Sequence, residues 1–189
     1  MQANPPLSAL PSSSLSKPDA AFCRDLASRL LSLPPSEEER EEVEKGLGRY
    51  PEGMVAVGAR KGGRILAVVV RPLVRGCPFP TVFYLTDKDL CRRASQLESA
   101  GCMKGWAERL EKDEELKAAY GRAHLMYLCF RKEVAKILGD PPYPAPISAG
   151  GMPERVKCLH SLLAQSLVMG PGINPIGDET AKEVGAWQG

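Results

Sequence analysis

The sequence lacks a strong excess of either charge: 25 lysines and arginines stand against 23 aspartates and glutamates, a formal net charge of +2. Dedicated nucleic-acid binders carry a much larger basic excess, so nucleic acid is not an expected partner. No apolar run approaches the ~18 residues that cross a bilayer. The longest, residues 65–70, has the length of a buried strand. A basic segment followed by an apolar one is missing from the N-terminus, so neither a secretory signal nor membrane association is expected, and the reading is cytoplasmic. The six cysteines, Cys23, Cys77, Cys91, Cys102, Cys129 and Cys158, include no C-x-x-C pair. Their spacing excludes the usual paired-ligand zinc framework. It predicts unpaired and mostly buried thiols in a reducing compartment. No metal and no cofactor are expected.

What is present is ordinary globular composition, with 43% hydrophobic and 25% charged residues. Residues 1–18 hold four prolines and five serines with little bulk, and read as a flexible tail. Residues 19–189 read as a single α+β domain. A helix over 19–33 ends at Pro34-Pro35. Ser36 then caps a second, acidic helix that reaches Leu47. Residues 54–59 and 64–71 alternate as strands around the Lys61-Gly62-Gly63 turn, and 80–85 supplies a third strand. The expectation is an antiparallel three-stranded meander packed against about six helices. Thr86-x-x-Asp89 resembles a capping box for the next helix. A long apolar stripe from Leu116 to Ile137 predicts a helix over Glu114–Leu138, with His124 as a partly buried structural residue at its border. Arg60, Lys61, Arg64, Arg71 and Arg75 fall in a segment without an acidic residue. They read as a charged strand edge or as an anion-facing patch.

The densest set of reactive side chains follows a proline-rich loop, in residues 148–179. A helix is expected to begin at Pro153, with Gly150 and Gly151 before it letting backbone approach a ligand. Its first turns carry Arg155, Lys157, Cys158 and His160. On a helical projection Cys158 points away from His160, which argues against their acting as a pair. Gly172 to Glu179 then forms a double turn containing Asn174, Asp178 and Glu179, all suited to capping.

Three blocks carry a resemblance. Residues 78–86 (PFPTVFYLT), 150–160 (GGMPERVKCLH) and 172–179 (GINPIGDE) resemble, in this order, a bacterial family catalogued as domain of unknown function 501, over about residues 45–187. The resemblance implies no activity. Many relatives carry a cysteine where this chain has Asp87.

Two classes of function follow from the residues. The first is a cytoplasmic protein binding a small anionic, phosphorylated ligand at the helix start, through Gly150, Gly151, Arg155, Lys157, His160 and Asn174. The second is an enzyme using His160 as general acid/base with Asp178 or Glu179. A protein–protein adaptor acting through the acidic helix is a further alternative.

Overall fold

The computed structural model describes residues 15–187. In order these form α1 (Lys17–Leu31), α2 (Glu37–Leu47), β1 (Met54–Lys61), β2 (Arg64–Val70), β3 (Leu73–Val74), β4 (Cys77–Pro78) and β5 (Phe83–Leu85). The helices α3 (Lys88–Ser99), α4 (Cys102–Lys112), α5 (Glu114–Leu138), α6 (Leu159–Met169) and α7 (Pro175–Glu183) follow. The fold is α+β, with an antiparallel sheet in the order β1-β2-β5 and a separate β3–β4 hairpin.

Local chemistry sets the sheet. Gly62 and Gly63 take φ of 56° and 81°. That is the mirror-image two-residue turn whose twist suits a hairpin, and glycine adopts it without steric cost. β2 is central and buried from Ile65 to Val70. Val68 and Val70 pack beside Val43 of α2, whereas Ala67 and Val69 join the main core with residues of α1, α5 and α6. The third strand is shorter than expected. The Val82 amide donates to the Tyr127 hydroxyl of α5 (2.8 Å), and the Pro80 carbonyl accepts from Tyr127 and Arg131.

Two expected boundaries move. Lys17 and Pro18 belong to α1 rather than to a tail, because Ser16 caps the helix and Asp19 is paired with Arg122. The rest of the expected tail, residues 1–14, lies outside the described residues. At α3 the cap is Asp87, whose carboxylate accepts from the amides of Asp89 and Leu90. Thr86 is buried and donates to the Ile65 carbonyl instead.

The loop over residues 139–158 is tied down along its length. Asp140 pairs with Arg71, the Ala145 carbonyl accepts from buried Arg131, and Ser148 meets His124 Nδ1 at 2.8 Å. Arg131 also lies 4.1 Å from the ring centre of Tyr143, a cation–π contact. His124 is buried, as a structural residue there would be.

That loop delivers the chain to α6, which has no exposed residue. The helix packs on β2 and β5 and against α3 and α7. The polar side chains on its buried faces must be satisfied internally. Gln165 donates to the Ala123 carbonyl (2.9 Å) and accepts from Asn174 (2.8 Å); Ser166 donates to Asp178 (2.6 Å). α7 fits against it only because residue 177 is glycine. A Cβ there would lie 2.3 Å from the Leu162 carbonyl oxygen and 2.4 Å from Ser166 Oγ. Gly177→Ala should therefore destabilise the protein by about 1–3 kcal/mol, the usual cost of overpacking. Urea unfolding checks this, and a neutral result would mean α7 sits further from α6 than described.

Candidate functional site

The helix expected at Pro153 begins at Leu159 instead. Residues 150–157 close on themselves: the Arg155 amide donates to the Gly151 carbonyl (2.9 Å) and the Lys157 amide to that of Gly150 (2.7 Å). The Tyr120 hydroxyl fixes the Arg155 carbonyl from outside (3.1 Å), and Val156 is buried. The two glycines are needed for this packing. A Cβ on Gly150 would lie 2.4 Å from Leu162, and one on Gly151 would lie 2.5 Å from the Arg155 carbonyl oxygen. The amides and glycines expected to face a ligand are thus engaged by the chain itself. Arg155 and Lys157 remain exposed, and neither takes part in an ion pair among the described residues.

The residues expected around the following turn have structural partners. Asn174 is buried; it caps α7 through the Gly177 amide (3.0 Å) while donating to Gln165. Asp178 accepts from Ser166 and from the Gly172 amide (2.7 Å). Glu179 accepts from Trp106 Nε1 (2.7 Å) and forms a two-point pair with Arg109. Arg109 and Trp106 hold the Glu179 carboxyl below its ordinary value, burial opposing. Neither acid meets His160. The basic strand residues are engaged as well. Arg60, Arg64, Arg71 and Arg75 pair with Glu39, Asp87, Asp140 and Glu52, and Lys61 donates to the Ala186 carbonyl. They form internal ties rather than an anion-facing patch.

The carboxylate that does meet His160 is Glu98, in the last turn of α3. Glu98 Oε1 lies 3.1 Å from His160 Nδ1 and accepts from the Leu159 amide at 2.7 Å. His160 Nε2 lies 3.1 Å from the Cys91 carbonyl oxygen and 3.2 Å from Ser95 Oγ. A carbonyl and a carboxylate only accept, so Nε2 donates to Cys91, Nδ1 donates to Glu98 when the ring is protonated, and Nδ1 is the nitrogen that faces the cluster. Cys158 joins them. It stands at the N-cap of α6 in extended conformation (φ −152°, ψ 108°), so the helical projection that set it opposite His160 does not apply. Donor atoms of Glu98, Cys158 and His160 all lie within 4.8 Å of one another. Ser161 Oγ donates to the Cys158 sulfur (3.6 Å).

The three groups change one another's acidity. Burial works to raise the Cys158 thiol, but contacts from His160 and Ser161 outweigh it and leave the thiol below its ordinary value. The Cys158 sulfur lifts the His160 imidazole to about 9, against burial, with Glu98 adding to the rise. The arrangement is a thiol–imidazole–carboxylate cluster at the protein surface. Cys91 behaves oppositely: burial pushes its thiol up to about 11.

Sequence reasoning missed Glu98. Its signal was a polar stripe, Cys91, Ser95 and Glu98, recurring at helical spacing beside the apolar Leu90, Ala94 and Leu97. Of the six free cysteines only Cys23 is fully buried, fewer than expected. Among known families, a model described as protein of unknown function (DUF501) matches residues 58–182, from within β1 to the last turn of α7. No curated protein and no solved structure matches the chain.

The histidine gives a pH test in chelator-treated protein. Its value is raised from 6.5 to about 9, so its contribution to stability is fully present below 6.5 and is lost as pH rises through 9. The stability difference between wild type and His160→Gln should be largest near pH 6 and shrink as pH rises through 9. Urea unfolding across that range decides; a pH-independent difference would mean the imidazole is not held protonated by its neighbours.

Proposed function

The chain belongs to the family described as protein of unknown function (DUF501), and from its own residues we propose that it binds a small anionic ligand of the phosphate class. The ligand sits where the 150–157 loop enters α6. One observation carries the reading: Arg155 and Lys157 are exposed cations without ion-pair partners among the described residues, on a backbone fixed by the Gly150 and Gly151 carbonyls and by Tyr120. Arg60, Arg64, Arg71 and Arg75 of the strand segment have carboxylate partners and would have to give them up to serve a ligand. Free cations on a fixed segment lose little freedom on binding, which favours charge-assisted hydrogen bonds. The role first given to helix amides and glycines passes to these two side chains and the adjoining His160. Among the described residues no helix is long and apolar enough to cross a membrane, and the unpaired thiols suit a cytoplasmic setting.

A second reading, an enzyme, is favoured by the contact between His160 and Glu98. Here His160 is the general acid/base, Glu98 replaces Asp178 or Glu179 as its partner, and Cys158 is the nucleophile. It expects iodoacetamide at pH 7 to label Cys158 well before Cys91. Equal rates by mass spectrometry would remove the basis for a nucleophilic thiol.

For the anion reading, Arg155→Ala and Lys157→Ala should each weaken binding of inorganic pyrophosphate about ten- to a hundredfold. Both should leave stability within roughly half a kcal/mol, as at other surface positions. Isothermal titration and urea unfolding on the same samples check both halves. Unchanged affinity in both variants, or no wild-type binding of pyrophosphate, would defeat the reading.

A further inference from the structure

We propose that Glu98, Cys158 and His160 form a binding site for a divalent metal ion of the zinc class, with one coordination position left open. The inference goes beyond the anion reading and does not depend on it. Its starting point is convergence: one donor atom from each residue, all within 4.8 Å of one another. A tetrahedral ion with ligand bonds of roughly 2.0–2.3 Å sets its donors about 3.3–3.8 Å apart, a spacing these three side chains reach by small rotations about their own bonds. Two well-packed helices supply them, Glu98 from the last turn of α3 and the other two from the start of buried α6.

The surroundings of each donor suit ligation. His160 donates through Nε2 to the Cys91 carbonyl, which fixes the ring and leaves Nδ1 to the cluster. A ring hydrogen bond to a carbonyl on the far side is the usual outer contact of a metal-bound histidine. Glu98 uses Oε1 for the Leu159 amide and the imidazole, and its Oε2 has no hydrogen bond among the described residues. Ser161 Oγ supports the sulfur. The His160 and Glu98 side chains are 28% and 24% exposed, so an ion can enter without opening the core.

Charge points the same way. Once ionised, the Cys158 thiol and the Glu98 carboxyl share a single imidazole, and even a protonated ring balances only one of them. A divalent cation balances both and leaves the ring neutral, as a ligand must be. On binding, Nδ1 and the thiol release whatever protons they hold to solvent. Thiolate plus imidazole selects zinc and its transition-metal neighbours over magnesium or calcium, which prefer oxygen. Three protein ligands with an open fourth position are the pattern of sites that hold water or an exogenous ligand, rather than of closed structural sites.

The test uses the full chain, stripped with chelator and titrated with Co²⁺ as a spectroscopic stand-in for Zn²⁺. We expect one Co²⁺ per chain, with sulfur-to-cobalt charge-transfer absorption and the intense visible bands of a four-coordinate ion, displaced by Zn²⁺. Cys158→Ser should abolish the charge-transfer absorption, and Glu98→Gln and His160→Gln should each weaken binding at least tenfold. Cys91→Ala keeps the carbonyl that His160 uses and should bind normally, as should Arg155→Ala, so failure of the anion reading leaves this result untouched. Should a variant not fold, the wild type still decides: stoichiometric Zn²⁺ should protect Cys158, but not exposed Cys77, from alkylation. No thiolate–cobalt absorption, absorption that survives Cys158→Ser or disappears in Cys91→Ala, or no protection of Cys158 would each overturn the proposal.

Discussion

A helix with no fully exposed residue can leave few of its polar groups to water, and α6 is such a helix. The rest of the structure is arranged around meeting that constraint. Gln165 is held by α5 and by Asn174, Ser166 by Asp178, and the first amide, that of Leu159, by Glu98 of α3. Each of these bonds also fixes the element that supplies it. Asn174 caps α7 while bonding Gln165, so the turn after α6 and the helix beyond it are placed together. An unpaired buried amide or hydroxyl would cost about 1–3 kcal/mol, a large share of a typical domain's stability. The polar residues in the middle of α6 therefore specify its neighbours more narrowly than its leucines can.

Seen this way, most of the sequence blocks that carry the family resemblance have packing roles. Pro80 and Val82 tie the third strand to Tyr127; Gly150 and Gly151 fold the loop under α6; Gly177 lets α7 approach the Leu162 carbonyl. Asp178 and Glu179, attractive as catalytic acids, are anchors for Ser166 and for Trp106 with Arg109. Few chemically capable groups remain without such a role. Around the start of α6 these are the Cys158 sulfur, the cluster-facing Nδ1 of His160, Oε2 of Glu98 and the cations Arg155 and Lys157. They lie in one segment and the helix end facing it.

How much of this was legible followed from the range of the interactions. The Gly62-Gly63 turn, the central position of β2 and the span Glu114–Leu138 depend on local conformation and periodicity, and the sequence carries both. The start of α6 does not. Pro153 and the apolar run after it suit a helix, but the amides of Arg155 and Lys157 bond the glycine carbonyls, and the chain turns helical only where Glu98 offers its carboxylate. That acceptor is 61 residues away in sequence. A helix begun at Pro153, six residues before Leu159, carries Cys158 onto its far side, away from His160. A single long-range cap therefore concealed both the helix boundary and the site. Asp87 displacing Thr86 as a cap is a milder case, since the competing residue was the next one along.

The way α6 is capped also separates a structural account of the cluster from a functional one. α1, α2, α3, α5 and α7 are each capped by the residue that local preference would choose: Ser16, Ser36, Asp87, Asp113 and Asn174. α4 begins after Gly101, a residue tolerated at that position. α6, the most buried helix and the one least able to bear a poor end, has Cys158 there. Serine or aspartate at 158 would cap the helix from within, and α3 would need no carboxylate. The chain instead combines a weak cap, an imported glutamate and a histidine, and bears the cost of drawing three ionisable groups partly out of water. Packing alone gives no reason for that choice. Departures from local preference concentrate where chemistry requires particular groups. Here the requirement falls on a sulfur, an imidazole nitrogen and a carboxylate oxygen gathered at one point.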